Sequence, residues 1–408
     1  MSEAARSDAV ATEKHGSAGE VFAAFLKLGV MSFGGPIAHL GYYREELVIR
    51  RRWLDEATFA DLVALCQFLP GPASSQVGFS LGVLRGGGLL GGLAAWFAFT
   101  MPSAIVMFAF AELAGHFTGT LAQGFLHGLK LVAVAVVSQA IWGMSKSLTP
   151  DRPRGAIALA ALAVVVLFGG SLAQIGAIVL GAVAGLWLCR GEDALVSGSL
   201  SFPVTRAAGI IALLLFAALL LLTPLVAAAS GSHTLAVFDA FYRSGALVFG
   251  GGHVVLPLLQ AEVVSPGWVS NEAFLAGYGL AQAVPGPLFT FAAYLGAVMN
   301  VPPDGIEGAA IALVALLLPG MLLVYGMLPF WDSFRTRPAA QAAMRGTNAA
   351  VVGILGAALY NPVWTAAVLN PRDFALALFG FLLLVVWKWP SWAVVALLAC
   401  AGTLFSFL

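Results

Sequence analysis

One stretch of this sequence occurs twice. FLKLGVMSFGG, from Phe25 to Gly35, aligns with FYRSGALVFGG, from Phe241 to Gly251. The alignment continues through a tryptophan, a glutamine and a Pro-Gly-Pro triplet in each copy, namely Trp53 and Trp268, Gln67 and Gln282, and Pro70, Gly71, Pro72 with Pro285, Gly286, Pro287. Apolar composition alone produces chance matches of Leu and Val, but not these residues at fixed spacing. The chain is therefore predicted to contain two copies of one structural unit.

The composition places both copies in a membrane. Hydrophobic residues make up 60% of the chain and charged residues 10%, against roughly 45 to 50% and about 25% in soluble proteins. The formal net charge is zero, so general attraction to nucleic acid is not expected. Three dispersed cysteines and no metal-binding motif predict neither a disulfide, a metal nor a cofactor. The predicted fold class is an all-α polytopic protein with the lipid bilayer as its solvent.

The distribution of Lys and Arg predicts that the two copies have opposite orientations. The loop after the first GG motif contains Arg44, Arg50, Arg51 and Arg52, whereas its counterpart, 260 to 272, contains no basic residue. Because cytoplasmic loops are enriched in Lys and Arg, these equivalent loops are expected on opposite sides of the membrane. Inverted-topology repeats of this kind are typical of secondary transporters.

The sequence divides into four parts. We predict a disordered tail over 1–19, a first repeat over 20–190, a linker with an extra membrane helix over 191–236, and a second, inverted repeat over 237–408. Nine apolar segments approach the length of about 20 residues needed to cross the hydrocarbon. They are 88–113, 121–145, 155–170, 172–189, 207–228, 305–329, 344–361, 374–388 and 391–407.

The segments beside the PGP triplets are too short to cross. Residues 58–69 and 73–84 lie between basic loops, which predicts a re-entrant hairpin that opens to the cytoplasm with PGP at its buried tip. The GG motif similarly splits 20–48 into two short helices. The alternative is that GGP only kinks one ordinary spanning helix. Asp55 and Ser270, at matching places, are predicted to cap the helices that follow them.

Broken helices inside the membrane predict an anion site. A helix starting just after Pro72 or Pro287 directs unpaired N–H groups and a positive dipole end at a ligand. Hydroxyl and amide side chains near these ends are candidate contacts, and His253 is a candidate proton-linked group or a buried structural histidine. The predicted substrate-binding residues from these features are Gly34, Gly35, Gln67, Pro70, Gly71, Pro72, Ser74, Ser75, Gly250, Gly251, His253, Gln282, Pro285, Gly286, Pro287 and Thr290.

A basic residue also recurs seven residues before each glycine break, as Lys27 and Arg243. Seven residues is close to two helical turns, so each cation shares a face with its glycine break. Charged residues inside membranes are functional candidates, and both are included in the predicted substrate-binding set. The alternative is that both side chains extend to the membrane surface from a helix end.

These motifs resemble a known family. FLKLGVMSFGGP, WLDEATFADLVALCQFLPGPASSQ, SGALVFGGGHVVLPLL and LAQAVPGPLF are similar to the chromate ion transporter family in its long, two-domain form. The resemblance implies a multi-pass protein of the bacterial inner membrane that exports chromate and confers chromate resistance. It also implies that the glycines, the PGP triplets, Lys27 and Arg243 are functional. GGP in the first repeat becomes GGGH in the second, so the two halves are not expected to contribute equally.

Other functions remain open at this stage. Sulfate has the shape and charge of chromate, so uptake or exchange of sulfate or another oxyanion is the first alternative. A membrane-embedded enzyme acting on lipid phosphates needs a nucleophile with its base or a metal cluster, and the sequence contains neither. A nucleotide-driven pump needs a GxxxxGK[ST] loop, which is absent. The chain is thus predicted to be a transporter and not an enzyme, with carrier or channel mechanism, coupling ion and homodimer formation undecided.

Overall fold

The computed structural model describes residues 16–114, 119–190, 202–249, 251–331 and 337–406, and all regular structure in these ranges is helical. The predicted tail lies almost entirely outside them, and the first helix, α1 (Ala18–Met31), begins after its N-cap Ser17. The first repeat continues with α2 (Gly35–Tyr43), α3 (Glu56–Phe68), α4 (Ala73–Arg85), α5 (Leu89–Ala114), α6 (Thr120–Leu148), α7 (Arg152–Phe168) and α8 (Gly170–Leu188).

The linker helix and the second repeat follow. They are α9 (Arg206–Ser230), α10 (His233–Ala246), α11 (Val255–Leu259), α12 (Asn271–Ala281), α13 (Phe291–Ala297), α14 (Gly305–Met327), α15 (Pro338–Ala358), α16 (Pro371–Val385) and α17 (Ser391–Phe405). Helix α2 continues as a π-helical segment, Arg44–Arg50, and α11 continues as the equivalent segment Gln260–Val264. Both predicted helix caps are confirmed, since Asp55 Oδ1 accepts from Thr58 N–H at 2.7 Å and Ser270 Oγ from Ala273 N–H at 3.1 Å.

The chain reverses direction at the first GG motif. Lys27 Nζ on α1 and Glu46 Oε2 beyond α2 form an ion pair at 2.8 Å. A continuous helix would separate these two residues by about 28 Å, at 1.5 Å per residue. The alternative of a kinked spanning helix is therefore wrong, and α1 and α2 form a hairpin with the glycines at its tip. Arg243 and Glu262 pair in the same way at 2.9 Å in the second repeat.

The chain also reverses at each PGP triplet. In the first repeat, the Arg85 guanidinium at the end of α4 lies 5.6 Å from the ring centre of Trp53, which precedes α3. In the second repeat, Asn300 N–H, beyond α13, donates to the Trp268 carbonyl at 2.9 Å, just before α12. The predicted re-entrant hairpins are confirmed.

Both hairpins of one repeat open on the same side. Arg85 also pairs with Glu20 near the start of α1 at 3.1 Å, which joins the mouths of the two first-repeat hairpins. In the second repeat the ring of His233, at the start of α10, lies 4.7 Å from that of Trp268. Helices α5 to α9 connect the two mouths, and the arginines after the first GG motif, absent from the equivalent loop 260–272, place the mouths on opposite faces. The repeats are inverted, as predicted.

Six helices in the described ranges are long and apolar enough to cross a membrane: Leu89–Leu113, Thr120–Leu148, Gly170–Leu188, Arg206–Ser230, Gly305–Phe330 and Pro338–Ala367. The other three predicted spans correspond to α7, α16 and α17, which have 17, 15 and 15 residues. Helix α9 is the most apolar of the six and only 6% of its most apolar 18-residue stretch is buried, so its leucines face outward, as lipid contact requires.

Candidate functional site

The PGP tips and the glycine breaks of the two repeats interlock. Gly71 N–H donates to the Val248 carbonyl at 2.7 Å, and Gly286 N–H donates to the Ser32 carbonyl at 2.8 Å. These two bonds are equivalent, because Gly71 aligns with Gly286 and Ser32 with Val248. Each PGP turn therefore donates a backbone hydrogen bond to the residue two positions before the glycine pair of the other repeat.

The glycines at this contact between the repeats have backbone conformations that only glycine adopts readily. Gly34, Gly35 and Gly251 have φ values of 102°, 81° and 139°, in the region that side chains rarely adopt. A side chain at Gly252 would lie 3.5 Å from Pro36 Cγ, so the two glycine motifs face each other. Gly250, a predicted site residue, lies outside the described residues.

The PGP tips also approach the long helices of the opposite repeat. A Cβ at Gly71 would lie 3.0 Å from Gly320 Cα on α14, and one at Gly286 would lie 2.8 Å from Ser103 Oγ on α5. Gly320 and Ser103 are equivalent positions, each following the proline inside its helix. The centre of the molecule is thus built from four breaks and two long helices in a symmetric arrangement.

The side chains around this centre are not symmetric. The first repeat contributes a set of polar residues that are all at most 4% exposed: Ser32, His39, Tyr43, Ser74, Ser75, Gln76, Ser80, Thr100 and Ser103. The equivalent second-repeat residues are Val248, Val255, Leu259, Phe289, Thr290, Phe291, Leu295, Leu317 and Gly320. Only Thr290 of these is polar. We call the first set the first-repeat polar cluster.

The cluster surrounds the start of α4. This helix begins at Ala73, directly after Pro72, as predicted. His39 Nδ1 on α2 lies 3.3 Å from Ser74 Oγ, while Nε2 makes no hydrogen bond within the described residues. Ser75 Oγ, Ser32 Oγ and Thr100 Oγ1 likewise make none there. Buried polar groups are normally satisfied, so the start of α4 has donors available for a ligand.

Gln76 links this helix start to the second repeat. Its Nε2 donates to the Pro70 carbonyl at 2.9 Å and to the Gly320 carbonyl at 3.1 Å. The sequence comparison pointed instead to Gln67, which is exposed on α3. Its counterpart Gln282, directly after α12, is half-buried, and its Nε2 donates to the Tyr278 carbonyl of that helix at 3.5 Å.

The second PGP tip differs from the first, because the α-helix expected directly after Pro287 begins three residues later. A 3₁₀ turn, Leu288–Thr290, follows Pro287, and α13 begins only at Phe291. Thr290 Oγ1 donates to the Pro287 carbonyl at 2.9 Å. His253 Nδ1 and Tyr278 OH are 2.7 Å apart. The polar groups of this tip are therefore already bonded within the second repeat.

Comparison with known proteins agrees with this duplicated architecture. The model of the chromate transporter family matches twice, over residues 19–186 and 235–403. The chain belongs to the chromate transporter family. It is 29% identical to a chromate transport protein of Pseudomonas aeruginosa over 93% of this chain and 90% of that protein. No solved structure matches the chain significantly.

Two further members of the family give similar coverage. A probable chromate transport protein of Synechococcus elongatus is 27% identical, over 93% of this chain and 94% of that protein. A chromate transport protein of Cupriavidus metallidurans is 26% identical, over 82% of this chain and 80% of that protein. With the six apolar helices, this membership identifies a multi-pass protein of the bacterial inner membrane.

The predicted cations of this transporter are engaged in ion pairs. Lys27 shares Glu46 with Arg50 at 3.2 Å and Arg51 at 2.9 Å, besides its own bond of 2.8 Å. Arg243 pairs with both Asp239 and Glu262, each at 2.9 Å. Sequence reasoning missed the carboxylates, although Glu46 and Glu262 align. The alignment of these two glutamates between the repeats was the sequence signal that could have identified them as partners of Lys27 and Arg243.

Proposed function

We propose that this protein exports chromate from the cytoplasm and holds the anion at the start of α4, between the two repeats. The observation that carries the proposal is the set of buried donors at that helix start, including the Ser75 hydroxyl and His39 Nε2, which bond to no described residue. Buried polar groups left unpaired cost about 1–3 kcal/mol each. A ligand that accepts hydrogen bonds removes this cost.

Chromate fits these donors by charge and shape. It is a tetrahedral dianion whose oxygens only accept hydrogen bonds. Helix N-terminal amides, serine hydroxyls and an imidazole N–H all donate, and the helix dipole favours negative charge at this end. The donors are buried, and exclusion of water raises the strength of their bonds to an anion. The GG and PGP residues predicted from sequence complete the proposed site through their backbone.

Lys27 and Arg243 belong to the proposed path at its two mouths. Three cations surround Glu46 at the first mouth, an excess of positive charge on the basic side that the distribution of Lys and Arg assigns to the cytoplasm. This excess concentrates anions at the cytoplasmic entrance. The membrane potential contributes about 2.3 kcal/mol per elementary charge per 100 mV, and about twice that for a dianion leaving a negative interior.

The test is chromate accumulation in whole cells. Cells expressing the protein are expected to accumulate less labelled chromate than cells without it. Ser75→Ala is expected to raise accumulation towards that of the control cells, because it removes one donor of the site. Ser147→Ala, an exposed serine bonded to its own helix at the end of α6, is the matched control and should behave as wild type.

Higher accumulation on expression would refute export. Labelled sulfate in the same cells provides a second arm. Sulfate flux that depends on Ser75, together with unchanged chromate, would show that another oxyanion is the substrate.

A further inference from the structure

A cavity with charged residues in its lining lies at the mouth of the second repeat. It is small, and its polar lining residues are Ser171 and Gln174 of α8, Arg243 and Ser244 of α10, and Glu262 beyond α11, with Ile175, Leu247 and Leu258 as its apolar lining. This mouth opens on the face opposite the basic loops. The cavity is distinct from the first-repeat polar cluster, and the proposed anion site does not explain the carboxylate of Glu262 that lines it.

The charges at this cavity do not balance. A single nitrogen of Arg243, Nη2, bonds both Asp239 Oδ2 and Glu262 Oε2 at 2.9 Å. Two carboxylates thus share one cation. The equivalent cluster of the first repeat has the reverse composition, one carboxylate, Glu46, with three cations. The two mouths carry excess charges of opposite sign.

This difference decides which carboxylate can take up a proton. Protonation of Glu46 would leave three neighbouring cations without a counter-ion, so its charged form is strongly favoured. Protonation of Glu262 leaves Arg243 paired with Asp239 and leaves no charge uncompensated. Thr223 Oγ1 lies 2.9 Å from Asp239 Oδ1 but also 2.6 Å from the Leu219 carbonyl, and its single proton serves only one of them, so access to the cavity decides between the two acids. Glu262 lines the cavity, whereas Asp239 does not.

A neighbouring side chain matches a protonated group. Gln174 is 5% exposed, and its Nε2 donates to the Pro257 carbonyl at 3.0 Å. This bond fixes the amide so that Oε1 is the free end, and Oε1 has no partner among the described residues. A buried acceptor without a donor is costly. A protonated Glu262, directly or through a water in the cavity, supplies that donor.

We propose that Glu262 is a proton-binding site at the outer mouth, and that its protonation opens this mouth to the anion. A hydronium ion transfers its proton to a carboxylate oxygen of Glu262, one O–H bond forms, and water is released. The excess charge of the cluster changes from negative to zero, which removes the repulsion of a departing anion. Of the described residues that line the cavity or bond to the cluster, Asp239, Arg243 and Glu262 carry charge, while Thr223, Gln174, Ser171 and Ser244 are neutral.

The proton site is tested without any substrate. Infrared difference spectra of the purified full-length protein are recorded as the pH is lowered, and the carboxylic C=O stretch is followed. Wild type is expected to gain a band that Glu262→Gln lacks. Glu307→Gln, an exposed acid in the first turn of α14 on the same face, is the control and should keep the band. A band that persists unchanged in Glu262→Gln would overturn the assignment.

Asp239→Asn gives an independent check. Glu262 is then the sole counter-ion of Arg243, so its band should appear only at a lower pH than in wild type. If the band of Asp239→Asn appeared at the same pH as in wild type, the shared-cation argument would be contradicted. This test does not depend on whether Glu262→Gln folds.

The proposed gating rests on the proposed function, so its test requires a measurement of chromate flux. Chromate efflux from proteoliposomes should rise as the pH on the outer-mouth side falls, and Glu262→Gln should remove this dependence. Retained pH dependence in Glu262→Gln would refute gating. Loss of the infrared band without chromate flux in any variant would support the proton site and refute chromate as substrate.

Discussion

Substitution of Gly286 tests the interlocking of the two repeats. Its φ is +94°, its N–H donates to the Ser32 carbonyl at 2.8 Å, and an added Cβ would lie 2.8 Å from Ser103 Oγ and 3.3 Å from the Phe99 carbonyl oxygen. Gly267 has a similar φ of +82°, but a Cβ there would have no neighbour within 4 Å. Gly286→Ala and Gly267→Ala therefore share the backbone strain and differ in the close approach.

The difference between the two variants can be estimated. Positive φ costs a residue with a side chain roughly 1–2 kcal/mol, and this cost is common to both. In Gly286→Ala, Ser103 must also move, which disturbs its 3.0 Å bond to the Thr100 carbonyl, and the turn must move away from Ser32. Each bond is worth about 1 kcal/mol. Gly286→Ala should thus lose about 1–2 kcal/mol more, roughly a factor of 5–30 in the unfolding equilibrium.

Reversible unfolding in mixed micelles measures this difference, and chromate accumulation measures its functional effect. Gly286→Ala is expected to be the less stable variant and to transport poorly, whereas Gly267→Ala should lose stability but keep transport. Equal losses of stability in the two variants would show that the close approach at Ser103 carries no energy, and the interlocking argument would fail.

Three further outcomes are expected. His39→Val, which introduces the residue found at the equivalent second-repeat position, should lower chromate export while the protein remains folded, as checked by gel filtration. Glu46→Gln should lower the free energy of unfolding more than Lys27→Gln, because it leaves three cations unpaired, and equal effects would contradict the ion-pair count. Single cysteines at the exposed positions Glu45 and Ser265 should react with impermeant reagents from opposite sides of the membrane, and labelling from one side would refute the inverted orientation.

The sequence predicts the scaffold well because duplication preserves the residues that backbone geometry requires. The PGP triplets and the glycine breaks recur in both repeats, and the four arginines after the first GG motif have no counterpart after the second. These features establish the hairpins and their opposite orientations. Local caps such as Asp55 are predictable for the same reason, since they depend on neighbours within three residues.

The contents of the site are harder to predict, because they depend on which elements meet. Lys27 is visible in the sequence as an intramembrane cation, but its partner Glu46 comes near only once the chain reverses at Gly34. Gln76 has no glutamine counterpart, so the comparison of repeats favoured Gln67, which faces outward. The backbone bonds of Gly71 and Gly286 to the opposite repeat depend on the packing of the whole molecule.

The loss of polar symmetry has a physical reason. A single anion near a twofold axis cannot use two complete sets of donors, and each buried donor left unpaired costs about 1–3 kcal/mol. Two copies of the first-repeat polar cluster would therefore leave many buried donors unpaired when no anion is bound, which would lower the stability of the protein. Replacing one copy with valine, leucine and phenylalanine removes that penalty and keeps the backbone symmetry on which the crossed bonds of Gly71 and Gly286 depend. The same divergence at the mouths gives Glu46 three cations and makes Glu262 share one, so that one scaffold presents different charge to the two sides of the membrane.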